Sequence, residues 1–338
     1  MEQYGVWRFG GGVTIDAQIL AALRQETEGS VSGAELSQRL GISRAAFWAR
    51  IEALRSIGYG IEASPHQGYR LLHVPDLLHA DDLLSRVAGN RIIGRDIRVF
   101  EETHSTNDVV EKLARDGVRE GAVVFAESQT QGRGRLGRKW LSPRRKGLWF
   151  SVLLRPDLLP QAATQLTVAA AAALLRAIRQ QTDLRPEIKW PNDILVNGRK
   201  VAGMLTELNA ELDRIKYIVL GIGVDVNLGP GDWPADLAKL ATSLKIESGR
   251  TICRAELAAA VLRELDRDYT RICQRQFARI CEEWEKQCNT LGRNVSIRIG
   301  DRLLQGRAES LDEDGALLLR TEHGHLERIM GGDVTLEK

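Results

Sequence analysis

The most informative segment for the fold class is Gly132-Arg133-Gly134-Arg135-Leu136-Gly137-Arg138-Lys139-Trp140. Its first six residues match G-x-G-x-x-G, the fingerprint of dinucleotide-binding Rossmann domains. In those domains a helix begins at the glycines, and the pyrophosphate sits on the N-terminus of that helix. Here the chain continues with Trp140-Leu141-Ser142-Pro143 and a basic run, which has no helical pattern. The sequence therefore argues against a Rossmann domain, and the loop needs another explanation.

The same loop is densely cationic. Alternating glycines let the backbone approach a ligand closely, and guanidinium groups bind phosphate in a bidentate manner. We therefore predict a mobile loop that closes over a phosphate-containing ligand. A solvated surface loop and a nucleic-acid patch are the alternatives. The window 133–146 contains no acidic residue, and its basic residues are Arg133, Arg135, Arg138, Lys139, Arg144, Arg145 and Lys146.

Composition limits the possible functions. The 338 residues carry 47 basic and 45 acidic side chains, so anion binding must come from local clusters. The N-terminus has no signal-peptide pattern, and the apolar run 166–178 contains Arg176 and is too short to span a bilayer. The four cysteines form no C-x-x-C pair, as expected for free thiols in a reducing compartment. We expect a cytoplasmic protein without a membrane span, and the sequence assigns no metal site.

Residues 1–75 are predicted to form a winged helix-turn-helix. Ser32-Gly33-Ala34-Glu35 is a capping-box pattern that starts a second helix, and Ser43 is placed to cap a third. A strand, a turn containing Pro65 and a second strand follow over residues 61–72. The apolar residues of the third helix recur at helical spacing and are Phe47, Ile51 and Leu54.

The third helix is the predicted DNA-reading element. The helix-turn-helix begins near Gly33 and ends near Glu52. Residues 1–75 hold seven arginines, no lysine and seven acidic residues, so the domain as a whole is neutral. A helical dimerisation or regulatory module is the alternative. The predicted DNA-contacting residues are Ser43, Arg44, Arg50 and Arg55.

Residues 76–289 are predicted to form a larger α+β domain. Its strands cluster in hairpins, with Asn197-Gly198 as a two-residue turn, instead of alternating with helices. This pattern favours a mixed, largely antiparallel sheet. The predicted strands are 97–100, 122–126, 148–154, 194–196, 201–208 and 217–226, and the predicted helices are 107–116, 162–181 and 254–274.

Residues 290–338 change character again. Short strands at 295–299, 303–310, 316–320 and 326–330 are separated by turn-forming residues. This pattern is typical of a small β-barrel.

Three further segments place polar groups or glycine where a ligand would meet them. Lys189, in Lys189-Trp190-Pro191-Asn192-Asp193, lies on a predicted short strand, and a buried lysine is costly unless it meets an anion. His104-Ser105-Thr106-Asn107 lies at a strand-to-helix junction and offers hydroxyl and amide groups. Gly221 and Gly223 stand near a strand end, where backbone approaches a ligand easily. A structural ion pair for Lys189 and helix capping by residues 104–107 are the alternatives.

In chain order, these motifs resemble those of the biotin–protein ligases. With a winged helix before them and a small barrel behind, the chain resembles the bifunctional members that also repress the biotin operon, over about residues 16–335. The pairing of GRGRxGRxW with KWPND favours this group over the lipoate ligases. The resemblance implies a class II synthetase-like central domain and an SH3-like β-barrel. The segments that carry it are 102–107, Gln129, 132–140, 188–193, 200–207 and 221–227.

The resemblance also implies roles for individual residues. Two positions depart from the common pattern: Leu136 stands where many relatives have arginine, and Asp225 where asparagine is common. An acid there would either weaken nucleotide binding or help to hold magnesium. The implied catalytic residues are Lys189 and Arg135. The implied biotin-binding residues are Ser105, Thr106, Asn107, Gln129, Arg133, Gly134, Arg135 and Lys189. The implied adenylate-binding residues are Arg135, Arg138, Trp140, Asn192, Lys200 and Asn227.

The implied reaction is ATP-dependent formation of biotinyl-5′-AMP, followed by transfer of biotin to a lysine of a biotin carboxyl carrier protein. Mg²⁺ is the expected cofactor, and Asp193 is a candidate acceptor for the lysine proton. A DNA operator and, in the adenylate-bound form, a second copy of the chain are expected partners, whereas a membrane is not. The alternatives are a catalytically inactive biotin-sensing regulator and a ligase for another carboxylate such as lipoate.

Overall fold

The computed structural model describes residues 14–26, 29–64 and 67–336. Three helices and a hairpin come first, and they confirm the predicted winged helix-turn-helix. Pro65, predicted in the turn of the wing, lies outside the described residues. The elements are α1 (Ile15–Gln25), α2 (Gly33–Arg39), α3 (Arg44–Ser56), β1 (Gly60–Ser64) and β2 (Gly68–His73).

Side-chain caps explain where the three helices begin. The hydroxyls of Thr14, Ser32 and Ser43 each accept a hydrogen bond from the backbone N–H three residues further on, at 3.0, 3.3 and 3.1 Å. On α3, Phe47 packs edge-on against Tyr69 of the wing, with ring centroids 5.2 Å apart. The caps set the start of α3, and the aromatic pair joins it to the wing.

The winged domain is docked onto the next domain through α4 (Ala80–Arg86), a helix that the sequence analysis did not predict. Helix α1 packs along α4. Arg24 of α1 forms an ion pair with Asp82, whose side chain is fully buried. Arg86 donates to the same carboxylate at 3.2 Å. Because a buried charge is tolerated only when it is paired, this contact fixes the position of α1 on α4.

The central domain is built on a seven-stranded sheet. The strand order is β3-β4-β5-β9-β8-β7-β6, and every ladder except the parallel β3–β4 pair is antiparallel. The predicted mixed, largely antiparallel sheet is therefore confirmed. The strands are β3 (Asp96–Phe100), β4 (Ala122–Ala126), β5 (Leu148–Leu154), β6 (Glu187–Lys189), β7 (Asp193–Val196), β8 (Arg199–Glu211) and β9 (Arg214–Val224).

Helices cover this sheet. They are α5 (Thr106–Arg115), α6 (Thr164–Gln181), α7 (Leu244–Ser248), α8 (Arg254–Cys273) and α9 (Phe277–Glu285). The alanine-rich α6 packs on α8 and α9. The stretch Pro160–Gln181 is long and apolar enough to cross a membrane by length and composition, which corrects our expectation that this run is too short. Since 67% of its most apolar window is buried inside the protein, it has the surroundings of a core helix.

The C-terminal domain is an antiparallel sheet with the order β13-β12-β11-β10-β14. Within residues 290–336 no ladder joins the end strands β13 and β14, so the predicted barrel is not confirmed. The last strand, which returns beside β10, is absent from the sequence prediction, and the domain boundaries at 75/76 and 289/290 stay predictions. The strands are β10 (Asn294–Ile299), β11 (Arg302–Leu311), β12 (Leu317–Thr321), β13 (Leu326–Ile329) and β14 (Asp333–Leu336).

A buried ion pair ties the start of α8 to the end of β4. The Arg254 side chain is fully buried and pairs with Glu127, itself almost fully buried. Arg254 Nε also donates to Asp76 Oδ1 at 2.9 Å, and its Nη1 to the Gly147 carbonyl at 3.3 Å. The backbone N–H of Arg145 donates to the Glu127 carbonyl at 3.0 Å. One guanidinium thus joins the interdomain linker, β4, α8 and the base of the cationic loop.

We expect Arg254→Ala to lower the free energy of unfolding by about 3–5 kcal/mol, because it leaves the Glu127 carboxylate buried and unpaired. Urea denaturation followed by circular dichroism measures this loss. Arg275→Ala is the matched control, since its ion pair with Asp157 is exposed and its loss should change little. Equal stability of the two variants would contradict the role given to Arg254.

Candidate active site

A cavity of about 960 Å³ lies between the central sheet and the C-terminal sheet. Segments that are far apart in the sequence meet in its walls: the strand-to-helix junction, the cationic loop and the lysine-tipped β6. Their meeting agrees with a single binding site, while the role of each residue stays a prediction. The predicted site residues that line the cavity are Ser105, Thr106, Gln129, Arg133, Gly134, Arg135, Arg138, Trp140, Lys189, Asn192 and Lys200.

Two predicted residues do not line this cavity. Asn107 is buried, and its Nδ2 donates to Glu207 Oε2 at 2.6 Å while its Oδ1 accepts from Ser151. Asn227 holds the backbone of Ile252, donating to its carbonyl at 2.9 Å and accepting from its N–H at 3.0 Å. Both amides have structural partners, so a ligand contact for either one stays a prediction.

The cationic loop folds back on itself. The Gly134 N–H donates to the Arg138 carbonyl at 2.7 Å, and the Trp140 N–H to the Gly132 carbonyl at 2.8 Å. A Cβ at Gly132 would lie 2.4 Å from the Trp140 carbonyl, so a larger residue does not fit there. Leu136, at the tip, has φ of 55° and is 68% exposed. Backbone hydrogen bonds therefore hold the loop while its tip stands in solvent.

Most basic side chains of the loop are already paired with carboxylates. The acids come from α5, β8, the C-terminal sheet and loops distant in sequence, so the sequence window 133–146 could not reveal them. The sequence predicted that all the basic side chains of the loop are available to a ligand. The ion pairs limit that prediction to the basic residues that have no carboxylate partner. The pairs are Arg133–Asp108 at 2.7 Å, Arg133–Glu207 at 3.5 Å, Arg138–Asp333, Arg144–Glu101, Arg145–Glu101 at 3.6 Å and Lys146–Asp232.

Four cations that line the cavity form no ion pair within the described residues, namely Arg135, Lys139, Lys189 and Arg298. Arg135 donates to Asn192 Oδ1 at 3.0 Å and to the Gly332 carbonyl at 3.5 Å. Lys189 ends β6, opposite Asp193 in register, and its side chain is half-buried. Burial lowers the pKa of the Arg135 guanidinium, and the nearby carboxylates of Asp193 and Asp333 only partly offset that effect. Because neither Arg135 nor Lys189 has an ion-pair partner in the described structure, both are available to an anionic ligand.

A recess of neutral polar groups borders the same cavity. The Thr106 N–H donates to Gln129 Oε1 at 2.9 Å, and Gln129 Nε2 donates to Ser142 Oγ at 2.9 Å. Thr106 Oγ1 lies 2.7 Å from Ser151 Oγ. Ser105 stands at the N-cap position of α5, but its hydroxyl makes no capping hydrogen bond. The capping alternative for Ser105 is therefore wrong, and this recess presents hydroxyl and amide groups to a polar, uncharged ligand head.

The other end of the cavity is aromatic. A Cβ at Gly223 would lie 2.6 Å from the Trp140 indole, and one at Gly203 3.1 Å from it, so the glycines make room for this ring. Lys200 Nζ lies 5.1 Å from the centre of the ring and 2.6 Å from Asp193 Oδ1. The sequence analysis expected the glycines at the end of β9 to make room for a ligand. In the structure, Gly223 makes room for the Trp140 side chain. The ring then offers a flat wall suited to a nucleobase.

Asp225 is the unexpected member of this wall. It lines the cavity and is almost fully buried. Burial raises the pKa of its carboxyl well above the usual range, and the nearby Lys200 ammonium only partly offsets that effect. A raised pKa means that the carboxyl keeps its proton to a higher pH than usual, and a protonated carboxyl both donates and accepts hydrogen bonds. The sequence analysis identified Asp225 as a residue that differs from the common asparagine. The structure adds that burial determines its pKa.

The predicted DNA-contacting residues fall into two groups. Ser43 caps α3, and Arg44 forms no ion pair within the described part of the chain. Arg50 pairs with Asp16 at 3.3 Å. Arg55 donates to the Ile61 carbonyl at 2.9 Å and pairs with Glu52 at 2.6 Å. Two of the three arginines, Arg50 and Arg55, therefore already form ion pairs with acidic residues of the same domain.

Fold and cavity together define a class of protein: an α+β domain with a cavity lined by unpaired cations, carried behind a winged helix-turn-helix. Three family models match the chain. The biotin/lipoate A/B protein ligase family matches residues 99–225, an HTH domain matches 16–70, and the biotin protein ligase C terminal domain matches 290–336.

Individual relatives agree with these matches. The chain is 36% identical to the bifunctional ligase/repressor BirA of Bacillus subtilis, over 96% of this chain and 99% of that protein. It is 33% identical to the bifunctional ligase/repressor BirA of Escherichia coli, over 90% of this chain and 92% of that one. A biotin protein ligase from Aquifex aeolicus in complex with biotin and ATP matches with a TM-score of 0.61 and 30% identity, covering 72% and 99% of the two chains. The chain belongs to the biotin/lipoate A/B protein ligase family.

Asp225→Asn should remove one pH dependence of stability. The folded protein keeps the Asp225 proton at pH values where the unfolded chain, with an ordinary pKa near 3.9, has lost it. The protonated Asp225 carboxyl makes its full contribution to the free energy of unfolding at pH values below the pKa of the unfolded chain. That contribution is lost as the pH rises through the raised pKa of the folded protein. We therefore expect the stability of Asp225→Asn relative to wild type to grow between about pH 5 and pH 8, measured by urea denaturation.

Asp232→Asn is the control for this experiment. Partial burial of Asp232 opposes ionisation, but hydrogen bonds from Lys146 and Gly229 outweigh it and lower the pKa. The contribution of Asp232 to the free energy of unfolding is therefore constant over the same pH range, and it is lost only as the pH falls through the lowered pKa. A constant offset between wild type and Asp225→Asn from pH 5 to pH 8 would refute the assignment.

Proposed function

We propose that this protein is a biotin–[acetyl-CoA-carboxylase] ligase that also acts as a biotin-responsive transcriptional repressor. It converts biotin and ATP to biotinyl-5′-AMP and transfers the biotinyl group to a lysine of a biotin carboxyl carrier protein. The observation that carries this proposal is the sharing of one cavity by Arg135 and Lys189 without a carboxylate partner. The biotin carboxylate and the α-phosphate of ATP supply the missing negative charge.

In the first step, a carboxylate oxygen of biotin attacks the α-phosphorus, and pyrophosphate leaves with the electrons of the broken P–O bond. The carboxylate is ionised at neutral pH, so this step needs no general base. Repulsion between the anions and charge growing on phosphorus form the barrier, and cations lower both. We assign that work to Arg135 and Lys189. Arg133 is held by Asp108 and Glu207 and is better placed to anchor the loop.

In the second step, the acceptor lysine amine attacks the acyl carbon and AMP leaves. The amine has an ordinary pKa near 10.4 and must first lose a proton. Asp193 is the proposed acceptor, although its carboxylate is paired with Lys200 at 2.6 Å. Asp193 serves this role if the nucleotide phosphates draw Lys200 away from it. Closure of the loop over the mixed anhydride keeps water out between the steps.

Mg²⁺ enters this scheme as part of the MgATP substrate. The described residues contain no group of three or more histidine, cysteine or carboxylate ligands that would hold a metal ion. The carboxylates that line the cavity are poorly suited to a cation: Asp193 pairs with Lys200, Asp333 pairs with Arg138, and burial raises the pKa of Asp225 and so disfavours its charged form. These residues do not fit a resident metal site, so no step is assigned to one.

The proposed partners follow from the two activities. The ligase domain binds the biotin carboxyl carrier protein, and the winged helix-turn-helix binds an operator DNA. We propose that the adenylate-bound form pairs with a second copy on that DNA, and that the protein works in the cytoplasm, where ATP and the carrier are available. The uncompensated charges of Arg135 and Lys189 favour an active ligase over a biotin sensor without catalysis.

Lys189→Ala should abolish adenylation, because it removes the cation beside both reacting anions. We expect biotin-dependent exchange between ATP and labelled pyrophosphate to fall by about 10²-fold or more. Lys216→Ala, which removes an exposed lysine from β9, is the control and should retain full exchange. Exchange that survives in Lys189→Ala would sink the assignment, and exchange supported by lipoate instead of biotin would make the protein a lipoate ligase.

Arg135→Gly should release free biotinyl-5′-AMP. The substitution removes the hydrogen bonds from the loop to Asn192 and Gly332 but leaves Lys189 in place. We expect adenylate formation to continue at a reduced rate, supported by Lys189, with an increased share of the intermediate recovered in solution by chromatography. Arg144→Gly, on the same loop but outside the cavity, is the matched control. Full retention of the intermediate by Arg135→Gly would mean that Arg135 does not close the site.

A further inference from the structure

The outer surface of α3 has an unusual composition for a DNA-reading helix. Phe47, Ile51 and Leu54 point into the domain core and are fully buried. The exposed residues of this helix include four alanines, which are Ala45, Ala46, Ala49 and Ala53. Alanine side chains are short, so the backbone of this helix can come close to whatever it meets.

Trp48 stands on the exposed side of this helix. It is 57% exposed, whereas Trp149 and Trp284 are fully buried. At helical spacing it lies one turn after Arg44 and Ala45 and one turn before Glu52. A large ring in water offers apolar area that a partner can cover.

Charge alone does not equip this helix for DNA. Arg50 is held by Asp16, and Arg55 by Glu52 and the Ile61 carbonyl. Residues 1–75 carry seven arginines and seven acidic residues, with no lysine, so the domain gains little from counterion release. Arg39, Arg44 and Arg70 form no ion pair within the described residues and can contact phosphate, so it is the selectivity that must come from contacts with the bases.

We infer that Trp48 reads thymine in the major groove, by packing its indole against the thymine C5-methyl group. This inference rests on the proposed repressor function and adds a residue that determines which sequence is bound. The thymine methyl is the apolar feature that bases present in the major groove, and apolar side chains are the groups that read it. Arg44, one turn earlier on the same side, is free to contact a phosphate or a guanine.

The test uses the full-length protein with biotin and MgATP. A random-sequence duplex library is first enriched on the wild type, and the affinity of the enriched duplex is then measured by fluorescence anisotropy. We expect Trp48→Ala to weaken binding by about tenfold, the effect of losing one base contact. Deoxyuridine, which lacks the C5-methyl, replaces each thymine in turn. At the contacted position it should weaken the wild type by a similar factor and leave Trp48→Ala unchanged.

Controls separate this contact from other causes. Leu212→Ala removes a fully exposed apolar side chain from the β8–β9 hairpin and should leave the affinity unchanged. Because Trp48 is exposed, Trp48→Ala should keep the biotin ligation rate and the unfolding midpoint of the wild type. These two readings show that any lost affinity comes from the DNA-facing surface and not from a damaged fold.

The outcomes against the inference are distinct. An enriched duplex that Trp48→Ala binds at full affinity overturns the inference and leaves the repressor function standing. The inference is also overturned if deoxyuridine weakens the binding of Trp48→Ala by the same factor as it weakens the binding of the wild type at every thymine position. Reduced self-association in light scattering, with DNA affinity intact, would show that Trp48 contacts protein. If the wild type enriches no duplex at all, the proposed repressor function fails and the inference fails with it.

Discussion

The buried ion pair between Arg254 and Glu127 is the contact on which the arrangement of the other parts depends. Two charges without access to water are stable only if each meets the other and the remaining hydrogen bonds are made. Asp76 and the Gly147 carbonyl complete the shell of Arg254, and the Leu78 N–H donates to Glu127 at 2.9 Å. The interdomain linker, the end of β4 and the start of α8 therefore have to meet at one place. The cationic loop leaves from that place toward the cavity.

A second consequence concerns charge within the cavity. The fold brings carboxylates from distant parts of the chain to Arg133, Arg138 and Lys146, so most of the loop is neutralised before any ligand arrives. Arg135, Lys139, Lys189 and Arg298 line the cavity and form no ion pair in the described structure. An unpaired, partly buried cation is unfavourable in the free protein and favourable when an anion binds. The cavity is thus prepared for an anionic ligand at a small number of positions.

The sequence predicted the parts of this site that depend on local pattern. The limits of β4 and β5 agree with the prediction, because both strands are continuous apolar runs. Helix α4 escaped prediction because its buried face contains Asp81 and Asp82, so it has no apolar stripe. The partners of the loop arginines also escaped, since Asp108 and Asp333 are brought close only by the fold. Motifs could name the members of the site, but not their pairing or burial.

The neutrality of the winged domain follows the same logic as the cavity. Acidic residues within the domain occupy Arg50 and Arg55, just as distant acids occupy the loop arginines. A domain with little excess charge has low affinity for DNA in general, because non-specific binding comes almost entirely from phosphate contacts. Such a domain stays off most sequences until specific contacts add to one another. Low background binding is useful for a repressor whose occupancy has to follow the supply of a small molecule, since a strongly basic domain would remain on DNA whether or not that molecule is present.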